Sequence, residues 1–200
     1  MRATDQGGLW FEKSLVVSIL DLNETPAQPV NLSPGDGAQD QPVDVTLQAS
    51  PFSDLDSGDS QAASQWVVRR TADNSVVFDS GEDAINQASR SVPAGLLGFA
   101  ESYNWQTRYK DSHGLWGPYS AATTFSTSLP AVSVTLLGSE LVLSWPTNAQ
   151  DFSLEYATNF PSDFWLPVSP PPSPVGDSYF VTNTIEGDPL FFRLNRTVSP

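Results

Sequence analysis

The chain has no cysteine, one histidine and one methionine, and it sets nine Lys and Arg against 23 Asp and Glu. Without cysteine there is no disulfide and no thiolate site for zinc or an iron–sulfur cluster. The net charge of −14 excludes nucleic acid as a partner, because a phosphate backbone is held by a Lys/Arg footprint that is missing here. The same shortage argues against anionic membrane surfaces. No run of about 18 apolar residues occurs, so no membrane-spanning helix is expected. Met1-Arg2-Ala3 leads into polar residues rather than an apolar core, so no signal peptide opens the chain. For a secreted parent, that signal is expected upstream.

Catalytic constellations are also scarce. His113 is the single histidine, so any Ser–His–Asp arrangement must use it. It falls in the tight turn Asp111-Ser112-His113-Gly114, an ordinary place for an exposed side chain. Gly7-Gly8 and Gly35-Asp36-Gly37 read as turns and not as phosphate loops. No pair among the carboxylates can be assigned to a cleft for glycoside hydrolysis. The chain is not expected to be an enzyme.

What is present is β-forming. Seventeen Pro and thirteen Gly are too many for a helical protein and suit short strands joined by turns. Six Trp, five Tyr and eleven Phe supply large side chains for compact sandwiches. A length of 200 residues allows one or two domains with proper cores. The chain divides into three parts: residues 1–26, 27–128 and 130–200.

In the first part, Leu15, Val17 and Ile19 alternate with Val16, Ser18 and Leu20, which predicts a strand, with Trp10 and Phe11 in the preceding turn. In the second, Val43, Val45, Leu47 and Ala49 alternate with polar residues, and further strands centre on Trp66 and on Val76-Val77-Phe78. Over 102–110, Tyr103, Trp105, Thr107 and Tyr109 are predicted to face the core, and Asn104, Gln106, Arg108 and Lys110 to face out. In the third, runs at Val132–Leu137, Leu141–Trp145, Phe152–Tyr156, Phe164–Val168, Tyr179–Asn183 and Leu190–Leu194 predict a small sandwich. Pro170-Pro171-Pro172-Ser173-Pro174 is expected to interrupt it as loop or polyproline II. The fold class is all-β, with tandem antiparallel sandwiches.

Hard oxygen ligands gather near the first junction. Ala3-Thr4-Asp5-Gln6-Gly7-Gly8 precedes the alternating run, and Asp21-Leu22-Asn23-Glu24-Thr25-Pro26 follows it. Oxygen-rich side chains at a domain junction point to calcium. The order of these motifs resembles the last two strands and exit linker of a cadherin repeat. The resemblance implies that residues 1–26 are the end of such a repeat, and that Asp5 belongs to an incomplete calcium site at the far end of it. Tyr103-x-Trp105-x-x-Arg108-Tyr109-x-Asp111-x-x-Gly114-x-Trp116 resembles the F–G hairpin of a fibronectin type III domain, an immunoglobulin-like sandwich. Leu97 and Tyr103 look like a tyrosine corner. Longer loops around 51–62 and 80–90 depart from the compact form of that family. Leu143-Ser144-Trp145-Pro146, Phe152-Ser153-Leu154-Glu155, Phe164-Trp165 and Phe191-Phe192-Arg193-Leu194 resemble short C-terminal modules of large secreted bacterial proteins. That resemblance implies a natural chain end at Pro200.

In a sandwich of this kind the B–C and F–G loops share one end with the N-terminus. Asp54, Asp56 and Asp59 of the B–C loop, Asp111 of the F–G loop, and Asp21, Asn23 and Glu24 of the linker are therefore expected to converge. Uncompensated carboxylates repel, and a bound calcium ion would relieve that repulsion. Asp, Ser and Gly are also ordinary turn residues, and a solvated loop is the plain alternative for 53–59.

Exposed aromatics can stack on sugar rings, and Trp10, Trp116, Phe164 and Trp165 are candidates, whereas Trp66, Trp105 and Trp145 are expected in cores. Asn23, Asn31 and Asn195 fit a glycosylation pattern. The expected function is structural and adhesive, in a secreted or cell-surface multidomain protein, with a calcium-stiffened junction and a protein or polysaccharide partner. The alternative is a carbohydrate-binding accessory segment of a secreted hydrolase. The oligomeric state is open, because such sandwiches leave edge strands exposed.

Overall fold

The structure is a computed structural model that describes residues 2–18, 22–184 and 189–197. The described residues form strands and turns with no helix, and no helix is long and apolar enough to cross a membrane. Strands β1 (Arg2–Thr4) and β2 (Trp10–Glu12) make a small hairpin. Then come β3 (Asn31–Ser33), β4 (Ala38–Gln41), β5 (Thr46–Ala49), β6 (Gln61–Arg70), β7 (Val76–Asp79), β8 (Ser89–Ser91), β9 (Ser102–Asp111) and β10 (Thr123–Thr127). They build two facing sheets, β4-β10-β9-β6-β7 and β3-β5-β8. This is the strand order of an immunoglobulin-like or fibronectin-like sandwich. All neighbours run antiparallel except β4, which lies parallel to β10.

The core between these sheets follows the alternation in the sequence. Tyr103, Trp105, Thr107 and Tyr109 are buried along β9, and their intervening neighbours are not. Val45, Leu47 and Ala49 meet them from the β5 side. Trp66 and Trp105 stack with ring centroids 5.9 Å apart, and the Trp105 indole N–H donates to the Pro34 carbonyl at 3.2 Å. The tyrosine corner is present: the Tyr103 hydroxyl accepts the Gly98 N–H at 2.8 Å. Tyr109, whose hydroxyl donates to the Ser50 carbonyl at 2.6 Å, has its pKa pushed up to about 12 by burial. The long 80–90 loop is pinned by Asp83. Its carboxylate accepts the N–H groups of Ile85 and Asn86 and pairs with Arg90 at 3.3 Å. Asn31 donates to the carbonyls of Trp105 and Ala121 and to the Thr123 hydroxyl, so its amide ties the sheets together.

The second sandwich comprises β11 (Ser133–Leu137), β12 (Glu140–Pro146), β13 (Phe152–Ala157), β14 (Leu166–Pro167), β15 (Ser173–Val175), β16 (Ser178–Thr184) and β17 (Phe191–Arg196). Its sheets are β11-β12-β16-β15 and β14-β13-β17. Leu143, Trp145, Phe152, Leu154 and Val181 fill the space between them. Phe99 and Ala100 of the first sandwich pack against this core. Arg196 donates to the Ala100 carbonyl at 3.1 Å and pairs with Glu101.

Two expectations change. The proline-rich stretch is not all loop, because Ser173–Val175 pairs with β16 as β15. It sits at the sheet edge, where a residue without an N–H costs no ladder bond. The predicted strand at Leu15–Leu20 is not formed over its described part: residues 13–18 lie outside any sheet, with Leu15, Val16 and Val17 exposed by 80%, 88% and 70%. Ile19 and Leu20 lie outside the described residues. Alternation gives strand propensity, but a strand needs a neighbour to bond with. Here the hairpin pairs Arg2–Thr4 with Trp10–Glu12 instead, so Trp10 and Phe11 are strand and not turn.

Candidate metal centre

Strand register explains why distant carboxylates meet. Gln61, which opens β6, pairs with Asp111, which closes β9. The loop before β6 and the turn after β9 therefore lie side by side. The antiparallel β3–β5 pair brings the entering linker past the exit of β5, where the Ser50 N–H donates to the Val30 carbonyl at 2.8 Å and the Ala27 N–H to the Ser53 carbonyl at 2.9 Å.

The linker is fastened to this end at several further points. The Asn23 amide donates to Asp111 Oδ2 at 3.0 Å. The Glu24 main-chain N–H donates to Asp56 Oδ2 at 2.7 Å. The Gln28 amide donates to the Tyr119 carbonyl at 2.6 Å. Pro26 is fully buried and packs on Gly117, where an added Cβ would come within 2.5 Å of the Pro26 carbonyl oxygen. Gly117 is thus required by close backbone approach.

The carboxylates form two overlapping groups. Ligand atoms of Asp54, Asp56 and Asp59 lie within 4.8 Å of one another, as do those of Asp59, Asp111 and His113. Asp59 is common to both. Its side chain is only 5% exposed, and its Oδ2 has no hydrogen-bond partner among the described residues; the same is true of Asp54 Oδ2. A buried carboxylate oxygen without a donor is costly unless a cation or proton satisfies it. Asn23, Asp56, Ser57, Asp59 and His113 line a cavity at this point.

Asp111 is fully buried and tightly held. Its Oδ1 accepts the N–H groups of His113 and Leu115, each at 2.9 Å. Burial pushes its carboxyl pKa up, but the Asn23 amide and the Leu115, His113 and Gly114 N–H groups outweigh that and leave it below the usual range. The His113 pKa is raised by its hydrogen bond to Asp59 and by that carboxylate's charge, with Nδ1 at 2.9 Å from Oδ1.

Of the residues expected at the junction, Asn23, Glu24, Asp54, Asp56, Asp59 and Asp111 converge, Glu24 through its main-chain N–H. Asp21 lies outside the described residues. Asp5 is in neither carboxylate group. Its Oδ1 accepts the Gly7 and Leu9 N–H groups at 2.9 and 3.0 Å and closes the β1–β2 turn. Short polar side chains take this role readily in turns, and the hairpin carries Asp5 separately from the linker and loop carboxylates, as a residue of the far end of the repeat. His113, read as an ordinary turn residue, is the group that sequence reasoning left out. The signal was its position two residues after Asp111, on the same turn.

No protein-family profile and no curated protein matches the chain. Among solved structures it is similar to an α-L-rhamnosidase from Dictyoglumus thermophilum, with 15% identity and a TM-score of 0.44, over 68% of this chain and 17% of that one. It is also similar to the chicken CNTN1 FN1–FN3 domains, with 13% identity and a TM-score of 0.40, over 100% of this chain and 66% of that one. A Streptomyces avermitilis α-L-rhamnosidase complexed with L-rhamnose matches with 13% identity and a TM-score of 0.40, over 86% and 23%. The chain thus spans less than a quarter of either rhamnosidase. At these scores the fold assignment rests on strand order and register, and no function is carried across.

Proposed function

We propose that this chain is a non-catalytic structural segment of a secreted or cell-surface protein, in which calcium stiffens the junction between a cadherin-like repeat end and the first sandwich. The observation that carries this reading is the pair of partnerless buried oxygens on Asp54 and Asp59 within a group of three carboxylates. Hard oxygen donors of this kind suit calcium, which takes about six to eight of them. Asp54, Asp56 and Asp59 would hold the ion, with water and main-chain oxygens completing the shell. Its charge would offset carboxylate repulsion, and Asp56, which also accepts the Glu24 N–H, would tie the ion to the linker. The mechanical result is loss of hinge freedom at the junction.

Thermal melts of the full chain in calcium and in chelator test this. Calcium at about 100 times its Kd stabilises the folded state by about 2.7 kcal/mol, so the transition of the first sandwich rises by several degrees. The Asp54→Ala/Asp56→Ala double variant shows no rise. Equal melts of the parent chain in calcium and chelator would remove the proposal.

One surface favours a second reading, that of a carbohydrate-binding accessory segment. On the β14-β13-β17 sheet, Phe160 stacks on Phe191 with centroids 5.5 Å apart. The Arg193 guanidinium lies 4.3 Å over the Trp165 ring and pairs with Glu155 at 2.8 Å. Asn195 donates to the same carboxylate at 3.1 Å. Phe160 and Phe164 are 70% and 85% exposed. Flat rings beside a carboxylate, an amide and a guanidinium are the groups a sugar hydroxyl array uses. The Trp116 ring is likewise covered by Arg108 and Lys110. In gels containing soluble polysaccharides, the chain is expected to be retarded and the Trp165→Ala variant to run freely. Identical mobility of both in every gel would count against this reading.

A further inference from the structure

We propose that Asp59, Asp111 and His113 form a mixed nitrogen–oxygen site for one borderline divalent transition-metal ion of the zinc class, separate in chemistry from the all-oxygen group of Asp54, Asp56 and Asp59. This rests on the reading of the junction as a cation site and names a second kind of ion for it.

The donor set points this way. Calcium takes oxygen ligands, whereas imidazole suits zinc, copper, nickel and iron. The three side chains offer an imidazole nitrogen and two carboxylate oxygens, all within 4.8 Å of one another. Three protein ligands with water in the fourth position is a common open arrangement for zinc. The 64% exposure of His113 leaves room for that water, while Asp59, at 5%, is almost enclosed.

A second observation points to a ligand. Asp59 Oδ2 is buried with no hydrogen-bond partner among the described residues. His113 already approaches the other oxygen of the same carboxylate, so it leaves Oδ2 unsatisfied. A cation seated among the three groups would satisfy it.

The set is also preorganised. Asp111 and His113 belong to one turn, closed by the Gly114 N–H on the Asp111 carbonyl at 3.2 Å and by the Asp111 N–H on the Leu115 carbonyl at 3.0 Å. Gly114 has φ of 95°, a conformation that glycine adopts without strain. The Asn23 amide and the Leu115 N–H act as outer partners that orient the Asp111 carboxylate, the role such groups play around bound metals.

The test is calorimetric titration of the full chain with zinc chloride and, separately, with calcium chloride, repeated on His113→Ala. Cobalt(II) replaces zinc in a parallel experiment, because its visible spectrum reports nitrogen ligation. His113 is an exposed turn residue, and circular dichroism checks that the variant keeps its fold. The expected result is one zinc ion per chain. In His113→Ala, zinc affinity falls by about tenfold or more, the cobalt spectrum changes, and the calcium affinity stays within about twofold. Zinc affinity unchanged in His113→Ala overturns the proposal. So does calcium binding without zinc binding, which leaves the calcium reading standing. Zinc binding through His113 without any calcium heat supports the proposal and removes calcium instead.

Discussion

Replacing Asp111 by alanine is expected to lower the stability of the first sandwich by about 3 kcal/mol. The carboxylate is fully buried and accepts the N–H groups of His113 and Leu115 and the Asn23 amide. Alanine leaves these donors without an acceptor, and bonds to a charged acceptor are worth about 1.5–3 kcal/mol each before relaxation and water recover part of the loss. Urea unfolding followed by the fluorescence of Trp66 and Trp105 measures the change. A loss below about 0.5 kcal/mol, the level of an ordinary surface substitution, would show that the turn holds without its carboxylate. The pH dependence has the same origin. The Asp111 pKa is lower in the folded chain than in the unfolded one, so its contribution is present above the unfolded value of about 3.9 and fades as pH falls through the depressed value. In the wild-type chain the stability of this sandwich should therefore drop below about pH 4, and the Asp111→Ala variant should show a shallower drop.

Trp105→Ala is expected to cost more, about 3–5 kcal/mol. The ring is fully buried, stacks on Trp66 and donates to the Pro34 carbonyl. Its loss leaves a cavity at the centre of the core and an unsatisfied carbonyl in the β3–β4 connection. The second sandwich has its own core, around Trp145, and should keep its transition. Differential scanning calorimetry separates the two events. A variant in which both transitions move together would show that the Arg196 contacts to Ala100 and Glu101 couple the sandwiches into one cooperative unit.

Much of the fold was legible from period-two patterning. The β9 residues Tyr103, Trp105, Thr107 and Tyr109 could face only one way once Asn104, Gln106, Arg108 and Lys110 were set opposite, because a strand has two faces and one was too polar to bury. Trp66, Trp105 and Trp145 were readable as core for the same reason, and the tyrosine corner was readable from the spacing of Leu97 and Tyr103. Patterning was silent on partners. Leu15–Ser18 is rich in strand-forming residues, yet it stays unpaired over the described residues, because propensity does not supply a neighbouring strand. Ser173–Val175 became a strand despite Pro174, because β16 offered an edge that asks no N–H of it.

The junction divides in the same way. Residue type and loop position in the sequence determined that Asp54, Asp56, Asp59 and Asp111 would crowd one end of the sandwich, since oxygen-rich turns can lie only at strand ends. Tertiary structure alone decided what each carboxylate does there. The Gln61–Asp111 pairing placed Asp111 under the turn as a buried acceptor, left one oxygen of Asp59 without a donor, and brought His113 beside it. Those outcomes depend on strand register and on distances of a few ångströms between loops about 50 residues apart, which local sequence patterns do not encode.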